Sequence, residues 1–168
     1  GPTHHTIEDI AIMRAIPNMS VFVPGDSKEV VQVLDAALDH YGPVYIRISA
    51  IEVEDVYNDR NNFSIGKATQ LRDGNDATII TTGTLMYEGT KAADILKRDQ
   101  GISVRLLQMA SVKPIDVHAI KKAADETGFI LTVEEHNVIG GLGGAVSEVV
   151  AEHGKAKVKR LGINDHFC

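Results

Sequence analysis

Apolar positions along this chain alternate between helical spacing and short continuous runs, from one end to the other. Ile7, Ile10, Ala11 and Met13 keep a helical period. Thr6 is the prospective N-cap, Glu8 and Asp9 sit in the first turn where carboxylates suit the helix dipole, and Pro17-Asn18 is the stop. Residues 20–23 are a short apolar run closed by Pro24-Gly25, which reads as a buried strand. A second helical period runs from Ser27 to about His40, capped by Asp26 or Ser27. Its apolar face is Val30, Val31, Val33, Leu34, Ala37 and Leu38. Gly42-Pro43 ends it, and residues 44–48 predict a strand.

Two parallel strands with two helices leave open edges and an uncovered face, which parallel sheets do not tolerate. Residues 1–50 therefore read as the last part of a larger α/β domain whose earlier strands are not in this sequence. Residues 51–75 are polar and turn-rich, typified by Asn58-Asp59-Arg60-Asn61-Asn62, and read as a linker with room for a short extended segment at 63–71. From residue 76 to 168 the alternation is regular. Strands are expected at 77–82, 102–108, 129–133 and 157–162, with helices from Thr84 or Tyr87 to 97, at 115–126 and at 142–152. Four strands alternating with three helices predict a doubly wound, mostly parallel sheet domain.

Charge and composition narrow the function classes. The net charge of -6 and pI near 5.6 argue against nucleic acid or an anionic membrane as partner. Lys155, Lys157, Lys159 and Arg160 read as a solvated strand face. No run approaches the roughly 18 apolar residues that cross a bilayer, and no signal peptide opens the sequence. Cys168 is the one cysteine, so no internal disulfide forms and a reducing cytoplasm is the expected location.

Chemistry has few places to reside. His4 and His5 lie in a loop entering the first helix, and spacing alone makes them exposed loop histidines. Arg47 reads either as an ion-pair partner or as an anion contact. Glu134-Glu135-His136 falls at the carboxyl edge of a strand, where α/β proteins hold ligands. Two carboxylates and an imidazole there suit a metal or acid–base site, hydrogen bonds that order the following glycines, or a subunit contact. Gly140-Gly141-Leu142-Gly143-Gly144 opens a helix, but a dinucleotide fingerprint starting at Gly141 would need Gly or Ala where Val146 stands. Close packing or a tight turn is the expected role. His40, His118, His153 and His166 are scattered and expected at the surface.

Gly1-Pro2-Thr3-His4-His5, Arg14-Ala15-Ile16-Pro17-Asn18 and Pro24-Gly25-Asp26 resemble the pyrimidine-binding domain of transketolases, and Val133-Glu134-Glu135-His136 with the glycine run resembles their C-terminal domain. The resemblance spans the chain and is nearest to the C-terminal subunit of a split transketolase. It implies the end of a thiamine-diphosphate-binding (pyrimidine) domain at 1–50, a linker at 51–75 and a transketolase C-terminal domain at 76–168. It implies transfer of a two-carbon ketol unit from a ketose to an aldose, with sugars or sugar phosphates as substrates. It also implies thiamine diphosphate and Mg2+ in the complete enzyme, held mainly by parts outside this chain. The implied partner is an N-terminal transketolase subunit, with the pair forming a homo-oligomer such as a dimer, and the implied setting is the pentose phosphate pathway. His4 is the implied catalytic residue, and His4, His5 and Arg47 the implied substrate contacts, with no cofactor or metal ligand in this chain. Where transketolases usually place a phosphate-binding arginine, counted from Pro43, this sequence has Ala50. Arg47 lies three residues earlier, on the opposite face if the strand continues. A 1-deoxyxylulose-5-phosphate synthase, a 2-oxo acid dehydrogenase β subunit and a non-catalytic assembly module are the competing readings.

Overall fold

The computed structural model describes residues 6–57 and 63–166. His4 and His5 lie outside the described residues. The elements in order are α1 (Asp9–Ala15), β1 (Ser20–Phe22), α2 (Ser27–Leu38), β2 (Val44–Ile46), β3 (Thr69–Arg72), β4 (Ala77–Thr81), α3 (Leu85–Gln100), β5 (Val104–Gln108), β6 (Ser111–Lys113), α4 (Val117–Thr127), β7 (Phe129–Asn137), α5 (Leu142–His153) and β8 (Lys157–Ile163). Among the described residues no helix is long and apolar enough to cross a membrane.

The larger sheet has five strands in the order β3-β5-β4-β7-β8. Its four inner and C-terminal strands are parallel, as the alternating pattern predicts, and β3 adds an antiparallel edge. β3 falls within the stretch expected to be a linker and pairs Thr69 with Gln108. Successive strand residues face opposite sides. Ile80 and Ile130 accordingly pack on Ile120 of α4 and Leu142 and Val146 of α5, whereas Ile79 and Leu106 pack on Ala93 of α3. β7 runs four residues beyond the expected end at Val133, because Glu134 and His136 alternate inward as buried polar residues. Their polarity hid the strand from a hydrophobicity reading.

The smaller sheet has the order β2-β1-β6. β1 and β2 are parallel, Val21 facing Tyr45, while β6 runs antiparallel to β1. β6 is not foreshadowed by the hydrophobic pattern, and it carries the chain from the second sheet into the first. The expected strand at 44–48 stops at Ile46. The apolar face expected of α2 is only partly covered: Val33 is buried, but Val31, Leu34 and Leu38 are 59%, 44% and 85% exposed. The reason is area, since a three-stranded sheet cannot cover the whole helix.

The two sheets meet through a buried carboxylate. Asp26 caps α2, one oxygen accepting the Glu29 amide at 2.9 Å and the other the amides of Val56 and Tyr57 at 2.9 and 3.0 Å. Glu29 in turn accepts from the Gly25 amide, the Tyr57 hydroxyl and the Gln108 side chain, at 2.7, 2.7 and 3.1 Å. Gln108 Oε1 accepts the Thr81 hydroxyl at 2.9 Å. Loop, helix and two strands of the larger sheet thus share one network. Burial pushes the Glu29 carboxyl above its ordinary value, the donors offsetting part of that rise.

A folded-state value above the ordinary 4.5 means that the folded chain keeps the Glu29 proton to higher pH than the unfolded chain. That contribution is fully present below the ordinary value and is lost as pH rises through the folded one. Glu29→Gln removes the titration, so its urea midpoint relative to wild type should rise between pH 4.5 and neutrality; a constant difference would contradict the assignment. Glu29→Ala strands three donors and should cost about 3 kcal/mol. At Gly89 of α3, an added Cβ would lie 2.7 Å from Thr81 Cγ2 and 3.1 Å from Leu106 Cδ1. The hydroxyl bond to Gln108 fixes Thr81, so overpacking of about 2 kcal/mol outweighs the ~1 kcal/mol gain in helix propensity. Gly89→Ala should therefore lower the melting temperature, and an unchanged or raised value would show that Thr81 yields.

Candidate functional site

α1 has seven residues, too few to persist as a helix without docking. Its apolar anchor is Ile10, fully buried against Val21, Val23 and Val112. Its other side faces the turn between β7 and α5. Glu8, not Thr6, is the N-cap, and its carboxylate accepts the Ile7 amide at 2.8 Å. The start of the helix is set by the neighbouring strand, because the Ile7 carbonyl accepts the Asn137 amide at 2.7 Å.

Glu134 orders the glycine run, one of the roles left open for Glu134-Glu135-His136. Its two oxygens accept the amides of Leu142 and Gly143 at 2.6 and 2.8 Å, serving the first turn of α5. Burial raises the Glu134 carboxyl, and those amides work against the rise. A Cβ at Gly141 would strike Glu134 Oε2, and one at Gly140, where φ is +76°, would lie 2.7 Å from Ala11 Cβ. The glycines are there for close approach.

His136 is wholly buried beside them. Its Nδ1 lies 2.7 Å from the Asn137 carbonyl, and its Nε2 lies 3.4 Å from the Ala11 amide. Donation from Nδ1 and acceptance at Nε2 describe a neutral ring, and burial lowers its tendency to protonate. Asp9 Oδ1 sits 3.9 Å from Nε2 and has no hydrogen-bond partner among the described residues. Among the described residues no group of three or more His, Cys, Asp or Glu side chains is arranged to hold a metal ion.

Asp9 Oδ2 reaches the other way. It accepts the Tyr45 hydroxyl at 2.7 Å and pairs with Arg47 Nε at 3.3 Å. Burial, then that hydrogen bond, push Tyr45 up to about 12. Arg47 Nη1 lies 3.7 Å from Glu135 Oε2, and Nη2 donates to the Thr6 carbonyl at 3.3 Å. Arg47 is therefore an ion-pair partner, and it also borders a cavity of about 500 Å³ lined by Thr6, Tyr45, Arg47, Ser49, Ala50 and Glu135 among others. Arg47 and Ala50 do not part to opposite faces as continued alternation would require. The strand ends at Ile46, so the rule does not apply and both line one cavity.

Thr6 is the first described residue, two places or fewer from His5 and His4 in the chain. Asp9, Tyr45 and Thr6 join the site without standing out as site residues in the sequence, and Arg14 stands out there only within the resemblance motif 14–18. Asp9 reads as an ordinary first-turn charge, and only the fold shows what it and Arg14 meet. Of the other histidines, His118 and His166 are exposed and His153 pairs with Asp125 at 3.0 Å. His40 is half-buried like His153, bonded to Ser20 Oγ at 3.0 Å and edge-on to Phe22.

Known proteins share this arrangement of segments. Residues 1–54 match the family "Transketolase, pyrimidine binding domain", and residues 66–167 match "Transketolase, C-terminal domain". An apulose-4-phosphate transketolase subunit of Phocaeicola vulgatus is 44% identical over 98% of this chain and 53% of its own length. The 6-deoxy-6-sulfo-D-fructose transketolase subunit SqwH of Clostridium sp. (strain MSTE9) is 40% identical over 99% of this chain and 52% of its own. A solved structure described as "Split gene transketolase, inactive beta4 tetramer" superposes with a TM-score of 0.92 at 42% identity, covering 95% of this chain and 53% of that one. The chain thus spans about half the length of the curated relatives it matches. With the α1 segment in the pyrimidine-domain match and the β7–α5 turn in the C-terminal match, the chain belongs to the transketolase family.

Proposed function

We propose that this chain supplies one wall of a ketol-transfer site, completed by an N-terminal transketolase half, and moves a two-carbon unit from a ketose to an aldose. The observation that carries the reading is the cavity beside Thr6, next in sequence to His4 and His5, in a chain matched along both transketolase segments. The uncovered face of α2 and the unpaired side of β2 among the described residues support a companion polypeptide.

The cavity does not fit thiamine diphosphate with its magnesium. Its Arg47 is matched by Asp9 and Glu135, so it offers no surplus positive charge for a diphosphate. The cofactor is accordingly assigned mainly to parts outside this chain. The tasks of this chain are contact and proton handling. His4, and His5 beside it, would meet the hydroxyls of the sugar. Carbon–carbon cleavage next to a hydroxyl needs that proton removed, and a neutral imidazole does this near pH 7. Arg47, its charge already matched by carboxylates, suits a sugar hydroxyl better than a phosphate.

Mixing the chain with an N-terminal transketolase half, thiamine diphosphate and Mg2+ should give ketol transfer. The chain alone should give none. His4→Ala should lower kcat by roughly 10²- to 10⁴-fold without weakening assembly. Turnover by the isolated chain, or full activity of His4→Ala, would defeat the reading. Consumption of pyruvate with glyceraldehyde phosphate would point instead to a deoxyxylulose phosphate synthase.

A further inference from the structure

A carboxylate oxygen taken out of water normally finds a donor, because a bare one forfeits its hydration without return. Asp9 Oδ1 is the one buried carboxylate oxygen without a hydrogen-bond partner among the described residues, on a side chain 6% exposed. It faces His136 Nε2 across 3.9 Å. We propose that this gap is a proton-operated switch: when His136 takes up a proton, its Nε2 donates to Asp9 Oδ1, and Asp9 loosens its hold on Arg47 and Tyr45 in the cavity wall. The switch stands whether or not the assembly transfers ketol units, since it needs no group outside the described residues.

The partners of the ring fix its neutral form and what a proton changes. A carbonyl can only accept, so Nδ1, 2.7 Å from the Asn137 carbonyl, carries the hydrogen. A backbone amide can only donate, so Nε2 accepts from Ala11, at a long 3.4 Å. Protonation places an N–H at Nε2 against the Ala11 donor, and that weak bond is lost. Other acceptors around the ring are engaged. Glu134 Oε2 lies 3.7 Å from Nδ1, at the opposite nitrogen, and already accepts the Leu142 amide at 2.6 Å. The Glu8 carbonyl also faces the ring, but it accepts the Ile12 amide at 3.2 Å. Asp9 Oδ1 is bare, and as a carboxylate oxygen it offers a charge-assisted bond.

The nearby cations oppose the proton or are occupied. Arg47 faces the ring and disfavours its charge. Arg14 and Arg160 face Glu134; Arg14 Nη1 donates to the Gly140 and Gly141 carbonyls at 2.5 and 3.2 Å, and Arg160 Nη1 to the Val138 carbonyl at 2.7 Å. Burial first, and Arg47 with it, hold the ring below its ordinary 6.5, so the switch answers to acid.

Asp9 carries the change to the cavity because its two oxygens move together. Closing 3.9 Å to the roughly 3 Å of a hydrogen bond draws the carboxylate toward β7, away from Tyr45 and Arg47. Arg47 Nε, 3.3 Å from Oδ2, is held more loosely than the Tyr45 hydroxyl at 2.7 Å and is released first. Its guanidinium keeps Glu135, 3.7 Å away, and the Thr6 carbonyl. Arg47 then turns to the Glu135 side of the cavity and changes the charge that the wall presents.

The test follows the His136 ring nitrogens, Arg47 Nε and Tyr45 Cζ by isotope-edited NMR in the whole 168-residue chain as pH falls from neutrality. In the wild type the Arg47 and Tyr45 signals should move in step with the ring, with one midpoint below 6.5. In Asp9→Asn the amide oxygen stays with Tyr45 and Arg47 and turns its N–H groups to the ring, which can no longer pass on its proton. The ring should then titrate at lower pH, with Arg47 and Tyr45 no longer following. In His136→Gln, which cannot gain the charge, the shared step should vanish. Arg47 and Tyr45 signals that stay still while the wild-type ring protonates would overturn the proposal, as would a ring that remains neutral down to acid unfolding. Signals that still follow the ring in Asp9→Asn would overturn it too, and so would a step of unchanged midpoint in a folded His136→Gln chain, which would belong to Asp9 or Glu135 itself. Should His136→Gln not fold, the wild type and Asp9→Asn decide.

Discussion

A carboxylate taken out of water must find donors, and Glu29 finds them in three segments far apart in the chain. The loop at Gly25, the stretch at Tyr57 and β5 at Gln108 all converge on it. Next to it Asp26 does the same with the backbone at 56–57. The cap of one helix is therefore also the joint between two sheets. An ordinary exposed capping pair would stabilise α2 alone; burial turns the same chemistry into a constraint on where the larger sheet sits.

The same logic governs the second joint. Glu134 and His136 occupy inward positions of β7 and would be costly if unpaired. Glu134 is satisfied by the first amides of α5, and His136 by backbone groups on its own strand and on α1. Bare glycines at 140 and 141 let these groups approach. Asp9 then passes the arrangement on to Tyr45 and Arg47, and so to the cavity. Polar groups that hydropathy would assign to the surface form the interior contacts between the two parts.

Most of the architecture was legible because hydrophobic period is a local property. The helices at 27–38, 85–100, 117–127 and 142–153, and the parallel strands between them, follow from spacing and capping residues. Two elements were not, and β3 was foreshadowed only as a short extended segment at 63–71. β3 and β6 are short strands whose pairing comes from distant partners, Gln108 and Phe22 among them. The end of β7 is a run of polar residues, of which Glu134 and His136 are buried by packing that depends on α1 and α5.

Residue order was enough for the family and the doubly wound second sheet. Those rest on local pattern and on motifs that survive without coordinates. It took the folded chain to place Arg47 and Ala50 in one cavity, to show what Asp9 and Arg14 meet, and to hold α1 from the far sheet. Each of these depends on where a strand stops or on which carbonyl lies within about 3 Å of a guanidinium, and residue order alone does not fix distances between segments more than a hundred positions apart.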